Sequence, residues 1–322
     1  MNRWFARPST LRRHGVMGLN RRNARLIAPL NPRRHYPLVD DKLRTKELAL
    51  EAGIAVPELY GVIATNHDIR NLPRLLARRE DFVIKPAHGS GGNGILVVTG
   101  RMQNRFLRSS GRFMDLEALG HHVSNILSGM HSLGGQPDQA MVEYRVRFDP
   151  LFETISHQGV PDIRTLVYRG YPVMAMVRLP TRHSDGKANL HQGAVGTGID
   201  LATGRTGHGV WHNRLIDRHP DTDQPVTGLQ IPGWERLLVL AARCFELTGM
   251  GYLGVDLVLD RDHGPLMLEL NARPGLAVQL ANGQGLDHRI RAIDALPEHA
   301  PTPQARARMA MERFRSSREG GV

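Results

Sequence analysis

Hydrophobic and polar positions change their period along this chain, and each change marks an element. In DDKLRTKELALEAGIAVP (40–57) the apolar positions Leu43, Leu48, Leu50 and Ala52 recur roughly at helical spacing; Asp40 is placed to cap, and Gly53 and Pro57 stop the run. LYGVIA (59–64) reads as a strand and 68–78 as a short helix. FVIK and ILVV read as strands on either side of a glycine-rich stretch, LEALGHHVSNILSGM as a helix and AMVEYRV as a strand. From residue 162 the pattern is strongly β, with DIRTLVYRGYPVMAMVRL forming a hairpin around Arg169-Gly170. A basic helix is expected within 9–27. Strands and helices do not alternate regularly, so the predicted class is α+β with antiparallel sheets.

The glycine-rich stretch FVIKPAHGSGGNGILVV (82–98) holds Gly89, Gly91 and Gly94 in G-x-G-x-x-G spacing. A dinucleotide fingerprint needs a helix after those glycines, whose N-terminus receives a pyrophosphate. Here Ile95, Leu96, Val97 and Val98 follow, which are strand residues, and no Gly-Lys-Ser/Thr marks a P-loop. The stretch is therefore a strand-to-strand hairpin tip, rich in backbone N–H groups and able to close over phosphates, with Lys85 at the end of the incoming strand. The same string also suits a plain glycine turn beside a solvated lysine.

In GYLGVDLVLDRDHGPLMLELNARPG (251–275) two strands flank Arg261-Asp262-His263-Gly264. If those four residues are the loop, Asp256 lies opposite Glu269 and Gly254 opposite Asn271, all on one face, with Leu257, Leu259, Leu266, Leu268 and Leu270 on the other. Directly opposed carboxylates about 5 Å apart repel. A divalent cation offsets that repulsion, and Asp256, Glu269 and Asn271 make an all-oxygen set suited to magnesium bridged to phosphates. One buried acid with a raised pKa, or two solvated acids, is the alternative.

Composition narrows the class. The 322 residues are 41% hydrophobic and 23% charged, enough for a sizeable core. A lone cysteine, Cys244, excludes a disulfide framework and a multi-thiolate zinc site and fits a reducing cytoplasm. No apolar run approaches the roughly 20 residues that span a bilayer. The formal charge of +11 is concentrated at the start, where residues 1–40 carry nine Arg against one acid, Asp40. That segment suits nucleic acid, acidic lipid or an acidic partner subunit. With 5% aromatics and no zinc-finger or RNA-recognition signature, dedicated nucleic-acid binding is not expected. His121, His122, His183, His191, His208 and His212 show no metal-ligand spacing, and no G-x-S-x-G is present.

Lys85, VEYR (142–145), DIRTLV (162–167), KANLHQGA (187–194), GVDLV (254–258) and LELNARPGL (268–276), in that order, resemble the ATP-grasp carboxylate-amine ligases. Among these the chain is most similar to the RimK-type and alpha-L-glutamate ligase-like proteins, over roughly residues 40–285. The resemblance implies an ATP-grasp fold of two α+β subdomains clasping ATP. A basic N-terminal arm (1–39) would precede an ATP-grasp domain (40–285), with its lid at about 80–143 and metal-binding part at about 144–285, and a helical tail (286–322) would follow. It further implies that Lys42 and Lys85 contact the nucleotide phosphates, and that His88, Gly89, Ser90, Gly91, Gly92 and Gly94 form the lid. Glu143 and Tyr144 would lie at the adenine hinge and Asp162 beside the nucleotide. Arg164, Lys187 and Asn189 would serve the transferred group, and Asp256, Glu269 and Asn271 would hold magnesium, two ions in all, with manganese as a substitute. His191 and Arg273 are candidate substrate contacts.

The implied reaction joins a carboxylate to an amine or amino acid through an acylphosphate, and the implied assembly is a homo-oligomer. A phosphotransferase or sugar-linked transfer enzyme, and a non-catalytic nucleotide- or nucleic-acid-binding protein, are the other readings. The chain departs from the RimK pattern where Lys187-Ala188-Asn189 replaces Arg-Ser-Asn and Arg273 replaces a serine, and its segment before Lys42 is shorter than the usual preceding domain.

Overall fold

The computed structural model describes residues 6–89 and 91–315. Its strands are β1 (Leu59–Ile63), β2 (Phe82–Pro86), β3 (Leu96–Met102), β4 (Arg105–Arg108), β5 (Phe113–Met114), β6 (Ala140–Glu143), β7 (Asp162–Tyr168), β8 (Tyr171–Leu179), β9 (Val195–Ile199), β10 (Thr206–Trp211), β11 (Arg214–Ile216), β12 (Tyr252–Asp260) and β13 (Gly264–Asn271). They form two sheets, ordered β1-β6-β2-β3-β4-β5 and β11-β10-β9-β8-β7-β12-β13. Neighbouring strands pair antiparallel, as the irregular order of elements requires.

The smaller sheet is closed by the helix Leu116–Leu127, which Asp115 caps. Its Leu119, Val123 and Ile126 pack on Phe82, Ile84, Val98 and Val142, and the Phe82 and Phe106 rings meet edge to face at 5.6 Å. The larger sheet buries its face under the helices Trp234–Thr248, Leu286–Asp294 and Pro303–Arg313. Cys244 lies in that core, where burial pushes its thiol up to about 12. The β7–β8 hairpin turns where expected, with Arg169 (φ 48°) and Gly170 (φ 82°) both in the left-handed region that a two-residue turn demands.

Four expectations are corrected. The helix Lys42–Glu51 is capped by Asp41, not Asp40: the Asp41 carboxylate accepts from the amides of Leu43 (2.9 Å) and Arg44 (3.1 Å). Its buried face is Thr45, Lys46 and Ala49, whereas Leu50 is 56% exposed. The strand in AMVEYRV ends at Glu143. Residues 9–27 are not one helix but the turns Pro8–Arg13, Leu19–Arg22 and Asn23–Ile27.

Nor is the N-terminal segment a free arm. Met17, Leu26 and Ile27 join the main core. Asn31 acts as a surrogate strand, donating to the carbonyls of Tyr252 (2.7 Å) and Ala272 (2.8 Å) and accepting from the Tyr252 amide (3.0 Å). Buried Arg22 donates to the Pro274 carbonyl at 2.7 Å and so braces the loop after β13.

Candidate functional site

The β12–β13 hairpin places Asp256 opposite Glu269 and Gly254 opposite Asn271, as its alternation predicts, by a route the sequence does not show. The turn is three residues, since Asp260 pairs with Gly264 and the Asp260 carboxylate accepts from the amides of Asp262 and His263, both at 2.9 Å. A bulge that leaves Leu268 unpaired restores the register before the acids are reached. The bulge also divides the leucines. Leu257, Leu259 and Leu270 enter the main core, while Leu266 and Leu268 turn to a small cluster with Val146 and Val258.

On the other side of β12, β7 sets Arg164 across from Asp256, and β8 sets Arg178 across from Asp162. Four buried charges result. Arg164 grips both oxygens of Asp256, with Nη2 at 2.6 Å from Oδ2. Arg178 grips both oxygens of Asp162 and reaches Asp256 at 2.8 Å. Burial alone would raise the Asp256 carboxyl, but the two guanidinium groups hold it below the usual carboxylate range. Burial pushes Asp162 up to about 6, against the pull of Arg178. Gly254 makes this packing possible, because a Cβ there would lie 2.6 Å from Pro274 Cβ and 3.4 Å from Arg164 Cδ.

Half-buried Glu269 makes no ion pair among the described residues, and Asn271 stands with Nδ2 3.4 Å from Asp256 Oδ2. Glu269 is left open to a hard divalent cation, which Asp256 would join only by sharing oxygens now held by Arg164 and Arg178. Among the described residues no group of three or more His, Cys, Asp or Glu side chains comes together as a metal site. A cation here would therefore take its remaining oxygens from a ligand.

A second cluster lies in the smaller sheet. Lys85 Nζ is 2.5 Å from Glu143 Oε1 and Lys46 Nζ is 2.7 Å from Oε2, all three side chains being buried. Two ammonium groups on one carboxylate leave the pocket a net positive charge. Burial, then the neighbouring Lys85, lowers Lys46 to about 8 although Glu143 opposes them. Burial would raise Glu143, yet Lys85 and Lys46 hold it low. Sequence reading singled out Lys42, one helical turn away; its ammonium instead bonds the Gly89 carbonyl at the foot of the glycine loop. The Tyr144 amide donates to the Glu58 carbonyl at 2.8 Å. The Tyr144 ring meets His263 at 5.0 Å.

The glycine loop joins β2 to β3, with Phe82 opposite Val98 and Ile84 opposite Leu96. Gly91, Gly92 and Gly94 have φ of 63°, 78° and 77°, a backbone that side chains resist. Its base is tied by Asp138, which accepts from the His88 amide at 3.1 Å and from Ser132 Oγ at 2.6 Å and pairs with His88 Nδ1 at 2.8 Å. Ser90 lies outside the described residues. At the tip, Asn93 Oδ1 is 3.5 Å from Lys187 Nζ on the loop between β8 and β9. There Asn189 caps the turn Leu190–Gln192 by accepting from the His191 amide at 3.0 Å, and His191 is exposed. Lys187 thus faces the glycine loop, and among the described residues neither it nor Asn189 hydrogen-bonds Arg164. Exposed Arg273 lies over the Tyr36 ring at 5.1 Å.

Lys46 and Arg178, which complete the two charged clusters, are not among the residues the sequence singles out. The spacing of Lys42 and Lys46 by one helical turn, and of Arg178 in register with Asp162 across the β7–β8 turn, were the available signals.

Two antiparallel sheets, a glycine hairpin with a lysine at its foot, and opposed acids on a facing strand pair define an ATP-grasp protein. The chain belongs to the sugar-transfer associated ATP-grasp family, whose model matches residues 21–295. It is 27% identical over 238 residues to a probable alpha-L-glutamate ligase of Maridesulfovibrio salexigens, covering 73% of this chain and 56% of that protein. It is 25% identical over 283 residues to a probable alpha-L-glutamate ligase of Hahella chejuensis, covering 88% and 69%. The chain therefore spans only part of the length of these relatives. Among solved structures it is similar to the D-alanine–D-alanine ligase of Bacillus anthracis complexed with ATP, at 13% identity and a TM-score of 0.45 over 87% of this chain and 67% of that one. The RimK domain ATP-grasp protein of Sphaerobacter thermophilus gives 15% identity and a TM-score of 0.45 over 84% and 72%.

Proposed function

We propose that this chain is an ATP-dependent ligase that joins a carboxylate to an amine through an acylphosphate, with residues 80–143 as its lid. The observation that carries the proposal is the pairing of a buried, net-positive lysine cluster with an uncompensated Glu269 beside Asp256 and Asn271. One cluster is charged to take phosphates and the other to take the cation that travels with them.

In this reading Lys46 and Lys85 hold the nucleotide phosphates, and the base lies beside Glu143 and Tyr144. Asp256, Glu269 and Asn271 would hold magnesium, which supplies charge neutralisation at the phosphates. Arg164 and Arg178 meet the charge that develops on the transferred phosphoryl group. The substrate carboxylate oxygen attacks the γ-phosphorus and the bond to ADP breaks. The amine nitrogen then attacks the acyl carbon, phosphate leaves, and the nitrogen's proton passes to solvent. The glycine loop, closing toward Lys187, excludes water that would hydrolyse the acylphosphate. His191 and Arg273, both exposed near these loops, would contact the substrate.

The names of the relatives support glutamate as a substrate class, while the family's sugar-transfer description supports a second reading, a transfer enzyme with a sugar-linked acceptor; were that enzyme a phosphotransferase, the phosphoryl group would stay on the acceptor. Incubation with ATP, magnesium and a panel of amino acids, with product masses followed, separates the two. ADP, free phosphate and an amide support the ligase; a stable phosphorylated product with no free phosphate overturns it. A buried, unpaired Cys244 also suits a cytoplasmic site of action.

A further inference from the structure

We propose that the N-terminal segment, residues 6–25, is a docking surface for an anionic lipid bilayer. The helix Pro8–Arg13 has no buried residue, and six residues are too few to be helical unaided. Yet the segment is held in place from behind. The Asp287 amide donates to the Gly15 carbonyl at 3.0 Å, and the His288 ring bonds the Arg13 carbonyl at 3.0 Å. Gly15 has φ +67°, and a Cβ there would lie 2.4 Å from His288.

What this backing presents outward is basic and apolar together. Arg7, Arg12 and Arg13 are exposed and make no ion pair among the described residues. Leu11 is 40% exposed and Leu19 61%. The Val16 amide bonds the Leu11 carbonyl at 2.9 Å, which closes the end of the helix, and Leu19 follows eight residues after Leu11 in the sequence. The nearby acid Asp287 is already engaged by Arg21, Arg25 and Arg291, and Asp294 by Tyr168 and Arg25. The positive charge is therefore left for something outside the chain.

Guanidinium groups alone would serve a polyanion such as nucleic acid. Exposed leucines among them fit the boundary between headgroups and acyl chains, where apolar side chains enter and basic ones meet phosphates. No helix among the described residues is long and apolar enough to cross a membrane, so the contact would be peripheral.

The test is co-sedimentation of the full chain with phosphatidylcholine vesicles with and without phosphatidylglycerol. Binding is expected only with the anionic lipid and should weaken with salt. An R7Q/R12Q/R13Q variant should bind roughly 100-fold more weakly, at about fivefold per arginine, and an L11S/L19S variant should also bind more weakly. Both should keep their melting temperature and their ATP turnover. Failure to sediment with anionic vesicles overturns the proposal, as does undiminished binding by either variant. Tighter binding to duplex DNA than to vesicles, indifferent to the leucines, would also overturn it in favour of a polyanion surface.

Discussion

Lys46 offers a measurement in which stability and binding should move in opposite directions. Its pKa of about 8, against 10.5 for a free lysine, means that keeping it charged in the pocket at pH 7 costs about 3 kcal/mol. Between pH 8 and 10.5 the unfolded chain binds a proton at this lysine that the folded chain does not, so the Lys46 contribution to stability rises with pH across that window. Replacing Lys46 by Met removes the cost and leaves Glu143 paired with Lys85, so Lys46→Met should fold as stably as the native chain or more so.

Phosphates that enter the pocket favour the charged form and draw a proton onto Lys46. Nucleotide binding should therefore take up more proton at pH 8.5 than at pH 7. The same linkage should weaken affinity progressively as pH rises above about 8. Calorimetric titration with a non-hydrolysable ATP analogue, in buffers of different ionisation enthalpy, reads the proton directly. Binding heats independent of buffer at pH 8.5, or an unchanged uptake in Lys46→Met, would refute the placement of phosphate at this lysine.

Removing Arg178 leaves Asp162 and Asp256 short of a buried partner; Arg178→Met should lower stability by about 3–5 kcal/mol in urea, and adding Asp162→Asn should recover part of it. Glu269→Gln breaks no ion pair among the described residues, so it should shift stability by no more than about 0.5 kcal/mol yet abolish magnesium-dependent turnover; full turnover would remove Glu269 from the ligand set. Gly254→Ala drives a methyl group against Pro274 and Arg164, with an expected loss of about 1–3 kcal/mol and a larger fall in kcat than the Arg22→Ala variant, which only loosens the loop; equal effects would show that Gly254 does not position Arg164.

The sheets and the acids were legible because their signals are local. A side-chain period of two puts Asp256, Glu269 and Asn271 on one face, and positive φ at Gly91, Gly92 and Gly94 needs glycine whatever surrounds them. The branched residues after Gly94 had already excluded a helix there. Even so, the register at the acids was reached from a turn one residue too long, and the bulge at Leu268 cancels the difference. The tight turn follows from the Asp260 carboxylate binding two amides, and the bulge from how Leu266 and Leu268 pack on Val146 and Val258.

By itself, then, the sequence determined the strands, the hairpins and which face of each would be charged, because those depend on neighbours a few residues apart. Tertiary structure alone decided which lysine meets Glu143, since helix 42–51 is polar enough to dock on more than one face and does so through Thr45, Lys46 and Ala49. It decided that Arg178 shares Asp256 with Arg164, which needs β7 held between β8 and β12. It also decided that Met17, Leu26 and Ile27 of the basic N-terminal segment join the core. Asn31 and Arg22 satisfy backbone groups more than 200 residues away, and no periodicity along the chain can encode a contact whose two halves meet only after both sheets have formed.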